Sequence, residues 1–418
     1  MSETPLVARA TRLGPAFDLL AAFEPGGFFL ERASLGVSSV GTVATISVPA
    51  GPERILRLAR RVAETLDAIH RAPEDPPPIA VTALTFDELE PAEASVPARA
   101  TMRPRSGETW ELETTSSSIP PPASVHERWA SRTLPFAAFE NVQLRPDPEP
   151  DEYAAAVEAA TRRIATGELR KVVLARTMLV DAERALDVKQ LLWRLRAVDP
   201  DCYAFATPVT GSAPGAILVG ASPELLVRRR GRDVEATPLA GSAQRFGDPA
   251  RDRAAAAALF RSEKDREEHA VVVEDVARVL GSFCDALDHP REPELLGTAN
   301  VWHLATPFRG RLHADTSVLE LVAALHPTPA VAGFPRDAAI DVLGELEPID
   351  RGGYAGPLGW VDANGDGEFA IALRCAEITG KTARLFAGAG IVADSVPEAE
   401  VDETERKFRA LLDALRWG

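Results

Sequence analysis

At 418 residues the chain is longer than a typical single domain, and 45% hydrophobic with 26% charged residues is the composition of a globular protein with a large core. Its formal charge of −16 argues against nonspecific binding to nucleic acid or to anionic membrane surfaces. A small anionic substrate would then need a local cationic pocket or a divalent metal. Three widely spaced cysteines, Cys202, Cys284 and Cys375, form no CxxC pair; they give neither a disulfide framework nor a thiolate zinc site, and they suit a reducing cytosol. The first residues carry no basic segment leading into an apolar run, and no apolar stretch is long enough to cross a bilayer, so a cytoplasmic protein is expected.

In chain order, Phe28 to Leu30 and Val43 to Val48 read as strands, and the apolar spacing from Arg54 to Arg71 predicts a helix. The Ser/Thr/Pro-rich run from Thr114 to Ala123 predicts an exposed loop. A second break, from Arg145 to Glu152, precedes a helix expected over Tyr153 to Ala165, with Asp151 as its N-cap. The turn at Gly167 then feeds a strand over Lys171 to Val180. Beyond it helices are expected over 189–197, 251–283, 317–325 and 398–415, and strands over 203–208, 216–220, 224–230, 355–361, 368–376 and 383–387. Strands joined by short turns must pair antiparallel. The expected fold class is therefore α+β, with large, mixed but mainly antiparallel sheets surrounded by helices. No internal repeat is visible. We divide the chain into a less diagnostic part, 1–145, either packed into the rest or forming its own lobe, and a catalytic core, 146–418.

The residues able to do chemistry cluster in five stretches of the last two-thirds. Lys171 opens a strand and shares a face with Val173 and Ala175. On its own it is a solvated strand-end lysine; catalysis needs its ammonium partly desolvated so that it can act as a base. Glu224 sits where the turn Gly220-Ala-Ser-Pro becomes a strand, and in a dry pocket it could donate a proton to a leaving hydroxyl. In Ser262-Glu-Lys-Asp-Arg-Glu-Glu-His269 most charges solvate a helix, but Glu268 stands directly before an apolar run and is expected to point inward. Glu400 and Glu403 share a helix face, although Glu403 and Lys407 also have the spacing of an ordinary i,i+4 ion pair. If these two helices converge, oxygen-only ligands favour Mg²⁺. Two motifs are set aside. Asp362 to Glu368 starts like a calcium loop but has Leu373 at the twelfth position, so a hairpin with Asn364-Gly365 at its tip explains it. Gly388-Ala-Gly-Ile-Val-Ala393 fits a dinucleotide pattern without enough following chain; its bare backbone N–H groups are a place for an anion.

Taken together these segments resemble the chorismate-utilising enzymes, anthranilate synthase component I-like, and most closely the isochorismate synthases. The carrying stretches are Lys171 to Arg176, Gly220 to Leu226, Pro238 to Ala243, Ser262 to His269, Trp302 to Pro307, His326 to Ala330, Ile371 to Ala376, and Phe386 to Val392 leading to Glu403. The likeness covers about residues 150 to 418. It implies that Lys171 activates a water for attack at C2 of chorismate and that Glu224 protonates the departing C4 hydroxyl. It implies Mg²⁺ held by Glu268 and Glu403, with Glu400 near it directly or through water. Arg374, Tyr354 and the Gly388 backbone are implied for the enolpyruvyl carboxylate, Lys407 for a substrate carboxylate, and His303, Gly241, Ser242 and Ala330 for the pocket.

Within the family, enzymes that use ammonia do not need a water-activating lysine at the Lys171 position. The aminodeoxychorismate type carries a lysine where Ala240 stands, and ammonia users and salicylate synthases usually carry a threonine where Ala330 stands. The string from His326 to Pro335 is similar to isochorismate synthases, whereas Tyr354 and Leu373 also occur in salicylate-forming relatives. Isochorismate synthase ranks first, salicylate synthase second and the ammonia users third. A catalytically silent metal-binding relative would be expected to have lost Lys171, Glu224 or a metal carboxylate, and all are present. With water as nucleophile no glutaminase subunit is required, and a monomer is expected. The isochorismate would serve menaquinone, siderophore or salicylate formation.

Overall fold

The computed structural model describes residues 5–14, 17–104, 107–116 and 142–416. Among these residues, nineteen strands are hydrogen-bonded into one continuous sheet and three form a second, smaller one. Helices cover both. The mixed, mainly antiparallel α+β architecture is the one expected from strands joined through short turns.

The centre of the large sheet is the strand Lys171–Ala182, which is buried along almost its whole length. Burial on both faces explains why its sequence is a near-continuous apolar run rather than an alternation. It pairs antiparallel with Thr382–Ile391, from Asp181 opposite Thr382 to Val172 opposite Ile391. On its other side Val142–Asp147 covers its second half, and Gly333–Phe334 covers Val172 and Lys171. Three apolar clusters meet on this strand. Ala175 belongs to the largest, Met178, Val180 and Ala182 to a second, and Val172 and Leu174 to a third built with Tyr153 and Val157. A strand-end lysine is thereby enclosed, and the solvated reading of Lys171 does not hold.

The early strands join the same sheet. Phe29–Arg32 pairs with Tyr203–Thr207, and Ile79–Ala83 pairs with Pro357–Asp362. The loop expected from Thr114 begins later, because Thr114 to Ser116 finish the strand Thr109–Ser116; the rest of that run lies outside the described residues.

Three local expectations are corrected, and one stretch gains an assignment. The helix before Lys171 starts at Pro150, with Glu149 rather than Asp151 at its N-cap, and the Glu152 side chain accepts from the Glu149 N–H at 3.3 Å. The stretch 251–283 is two helices, Pro249–Arg261 and Glu263–Gly281. Ser262 breaks it by adopting extended backbone and accepting a hydrogen bond from the Asp265 N–H, a capping geometry that competes with helix continuation. The strand expected over 368–376 is interrupted between Gly367–Ile371 and Cys375–Thr379, where Arg374 has φ 50°. Finally Arg336–Leu346, given no assignment above, is a helix packed against the central strand. The calcium-like motif is a hairpin: Asp362 caps its turn by accepting from the N–H groups of Asn364 and Asp366.

Candidate active site

One cavity gathers most of the predicted site residues. Its wall includes Glu224, Gly241, Ser242, Glu268, His303, Ala330, Tyr354, Arg374, Gly388, Glu403 and Lys407. Lys171 and Glu400 are not on the wall. Each lies behind it, tied to a charged partner.

Glu224 reaches the cavity from the start of the strand Leu225–Arg230, whose register shifts against both neighbours just beyond Leu225. A bulge of this kind re-aims side chains at a strand end. The Glu224 side chain is 2% exposed, and burial pushes its carboxyl up to about 8 against the opposing pull of Lys171 and of a hydrogen bond from the Leu239 backbone. It is therefore protonated at neutral pH, the state a general acid requires.

Lys171 is fully enclosed. Its Nζ lies 3.1 Å from Glu268 Oε1, and this ion contact is not accompanied by a hydrogen bond of acceptable geometry. Glu268 is the inward-facing carboxylate of helix Glu263–Gly281, as its place before the apolar run predicts, whereas Glu263 and Glu267 are exposed. The pair fits only because residue 390 is glycine: a Cβ there would stand 2.0 Å from Glu268 Oε1 and 3.1 Å from Lys171 Cε. The second glycine of the Gly388-Ala-Gly390 motif thus makes room for two charged side chains. The first offers its carbonyl, which accepts from Lys407 Nζ at 2.6 Å.

The C-terminal helix Pro397–Arg416 supplies Glu403 and Lys407, which form the i,i+4 pair their spacing predicts, at 2.6 Å. Burial alone would raise the Glu403 carboxyl, but the charge and hydrogen bond of Lys407, with a hydrogen bond from Ser242, pull it down to about 2. Glu400, 1% exposed, is held at 2.5 Å by Lys264, a residue sequence reasoning passed over although it lies inside the Ser262 to His269 motif. Burial and the Glu403 charge raise the Glu400 carboxyl. Among the described residues no three acidic or imidazole side chains converge to hold an ion; each of these three carboxylates has an ammonium against it. The donor set, oxygen only and split between two helices, nonetheless matches what a hard divalent cation takes.

Opposite chemistry lines the rest of the cavity. Arg374 owes its position to left-handed backbone, a conformation that costs about 1–3 kcal/mol for a non-glycine residue and is retained where side-chain placement matters. Its Nη2 donates to His303 Nε2 at 3.0 Å, and His303 Nδ1 faces the Gly241 carbonyl at 3.3 Å. A carbonyl only accepts, so Nδ1 carries the proton and Nε2 is the lone-pair acceptor. Burial, then the charges of Arg374 and Lys407, depress the His303 imidazole to about 3, so it stays neutral. Gly241 has φ 74° at a bulge of the small sheet, which turns its carbonyl toward the ring. Tyr354 stacks on Phe386 with ring centroids 5.2 Å apart. The backbone after it is fixed by His326, whose Nε2 donates to the Ala355 carbonyl at 3.0 Å. Phe386, His326 and Lys264 are the site residues missed above; all three lie inside quoted motifs, but their contacts depend on elements far apart in the chain.

The cavity therefore combines a protonated carboxyl, two cationic groups able to meet carboxylates, and a cluster of acidic residues at one side. Comparison with known proteins identifies the family. Residues 109–416 match the family model described as chorismate binding enzyme. The chain is 38% identical over 412 residues to isochorismate synthase DhbC of Bacillus subtilis, covering 96% of each. It is 36% identical over 398 residues to isochorismate synthase EntC of Escherichia coli, covering 94% of this chain and 96% of the relative. Its fold matches that of MenF, the menaquinone-specific isochorismate synthase from Escherichia coli, with a TM-score of 0.81 at 26% identity over 99% of this chain and 95% of that one. The chain belongs to the chorismate-binding enzyme family, and within it stands with the isochorismate synthases.

Proposed function

We propose that the chain converts chorismate to isochorismate, adding water at C2 and releasing the C4 hydroxyl. The observation that carries this reading is Glu224: an enclosed carboxyl, protonated at neutral pH, on the wall of the same cavity as Arg374 and Lys407. Hydroxide is a poor leaving group, so its departure needs a proton delivered in the transition state. Lys171, enclosed beside Glu268, is the group that takes the proton of the attacking water, and it does so as the neutral amine, because the ammonium form has no lone pair. Acid and base of this kind are each typically worth ~10²–10⁴-fold. Arg374, with Tyr354 and the Gly388 backbone, receives the enolpyruvyl carboxylate, and Lys407 meets a substrate carboxylate. His303, neutral and fixed in one tautomer, orients the Arg374 guanidinium and contributes no proton of its own.

Magnesium is the cofactor we infer, with Glu268 and Glu403 as its holders and Glu400 nearby. When bound it supplies positive charge against a substrate carboxylate, which matters in a protein whose formal charge is −16. Water as nucleophile removes any need for an ammonia-supplying subunit, and a monomer acting on a small molecule is sufficient. Among the described residues no helix is long and apolar enough to cross a membrane. A location in the cytoplasm fits the cysteine usage. The family's named members act in both siderophore and menaquinone formation, and isochorismate is the product either route would take.

A second reading has its own support: Tyr354 and Leu373, shared with salicylate-forming relatives, both line the cavity. Incubation with chorismate and Mg²⁺, followed by chromatography, separates the readings. Isochorismate alone is the expected result. Salicylate with pyruvate would transfer the chain to the lyase-active type, and absence of turnover would leave it a silent relative.

A further inference from the structure

Each carboxylate at the acidic side of the cavity has a lysine against it: Glu268 has Lys171, Glu403 has Lys407 and Glu400 has Lys264. Two of these lysines have chemical work in the proposed reaction. Lys264 has none, yet its ion pair alone of the three joins the two helices that carry the cluster. Lys264 sits one turn before Glu268 on the same helix face, and its Nζ is 2.5 Å from Glu400 Oε1 on the C-terminal helix.

Its freedom differs as well. The Lys171 side chain is wholly enclosed, whereas that of Lys264 is 30% exposed and its partner Glu400 only 2%. Acidic groups gathered in a poorly solvated place need a counter-charge to stay ionised. A divalent cation would provide it, but two cations cannot occupy the same oxygens, and a long flexible lysine with one end already in water can leave.

We propose that Lys264 is a built-in counter-cation of this acidic cluster, displaced from Glu400 toward solvent when a divalent cation enters. The affinity of the free protein for the metal is then set by this exchange and not by the carboxylates alone. The inference rests on the magnesium reading and adds to it a residue that opposes metal binding.

The test uses the full chain without substrate and Mn²⁺ as a probe visible by electron paramagnetic resonance. Lys264→Gln should tighten Mn²⁺ binding about tenfold, the size expected for removing one charge-assisted contact, while Lys264→Arg keeps the wild-type affinity. In a Glu400→Gln background the gain from Lys264→Gln should shrink to less than about twofold, because the competed pair is gone. An unchanged or weaker Mn²⁺ affinity in folded Lys264→Gln overturns the exchange and leaves the magnesium reading standing. No Mn²⁺ binding by any form overturns both. A readout on the unaltered chain guards against a variant that does not fold: nitrogen-15 NMR of the Lys264 ammonium should shift on saturation with Mg²⁺, and a signal that stays in place sinks the proposal.

Discussion

Two carboxylates at opposite ends of one strand pair handle their protons in opposite ways. Leu225–Arg230 pairs with Gly367–Ile371; Glu224 precedes the first strand, and Glu368 lies on the second opposite Arg228. Burial opposes ionisation of both. At Glu368 it is overcome by Arg228, which donates through Nε and Nη2 to the two carboxylate oxygens at 2.8 and 2.6 Å, and by the Tyr203 hydroxyl at 2.5 Å. The Glu368 carboxyl ends up below its ordinary value, whereas Glu224, with no guanidinium against it, is pushed up to about 8. Arg351 follows the pattern of Arg228, with two bonds to Glu347 and one each to the carbonyls of Val331 and Val173. Lys171 follows that of Glu224, enclosed with one ion contact and no hydrogen bond. Arg228 and Arg351 are thus matched by bidentate carboxylates, whereas Glu224 and Lys171 are left with spare capacity for a reactant.

The comparison can be broken by exchanging what each group loses. Lys171→Ala and Glu224→Gln should each lower kcat by about 10²–10⁴-fold, because each removes one half of the acid–base pair. The Lys171→Ala protein should still titrate with Mg²⁺, since the carboxylates proposed to hold the metal remain; retained turnover removes the lysine from its proposed role as base. Glu224→Gln should leave Tm nearly unchanged, as a neutral carboxyl is replaced by a neutral amide. Glu368→Gln should do the reverse, costing about 2 kcal/mol of stability because Arg228 is left with Glu235 as its one carboxylate partner, while the folded protein keeps its kcat. If calorimetry and kinetics do not show this crossover, the division between structural and catalytic charges is wrong.

The pH dependence sharpens the same contrast. In its proposed role Glu224 acts in its protonated form, and burial pushes its carboxyl up to about 8 in the folded protein. The acid is therefore in place below about 8, and kcat/KM should fall as pH rises through that value. Glu224→Gln should lack this limb, and a wild-type profile flat to higher pH would deny Glu224 the acid role. The smallest change is expected at Ala330, which lines the cavity beside Val331. Ala330→Thr should alter product proportions more than rate; a product profile identical to wild type would show that this position does not select the reaction.

Much of the site was legible in the chain itself because its signals are local. The spacing of Glu403 and Lys407 predicts a pair one helical turn apart, and the pair is there. The apolar run after Glu268 predicts which carboxylate of the Ser262 to His269 motif turns inward, and Glu268 is buried while Glu263 and Glu267 are exposed. Errors fell where a side chain or an unusual backbone overrode a regular pattern. Ser262 split an expected helix by capping, and Arg374 broke an expected strand by entering left-handed backbone.

The sequence by itself determined which groups were available for chemistry and in what order, since residue type and short-range periodicity are written in the chain. Only the tertiary structure decided which charges are dry and what stands against them. Lys264 meets Glu400 from 136 residues away, and Lys171 meets Glu268 through the gap that Gly390 leaves. Burial and long-range ion pairing depend on how distant elements pack, and no local pattern encodes that packing.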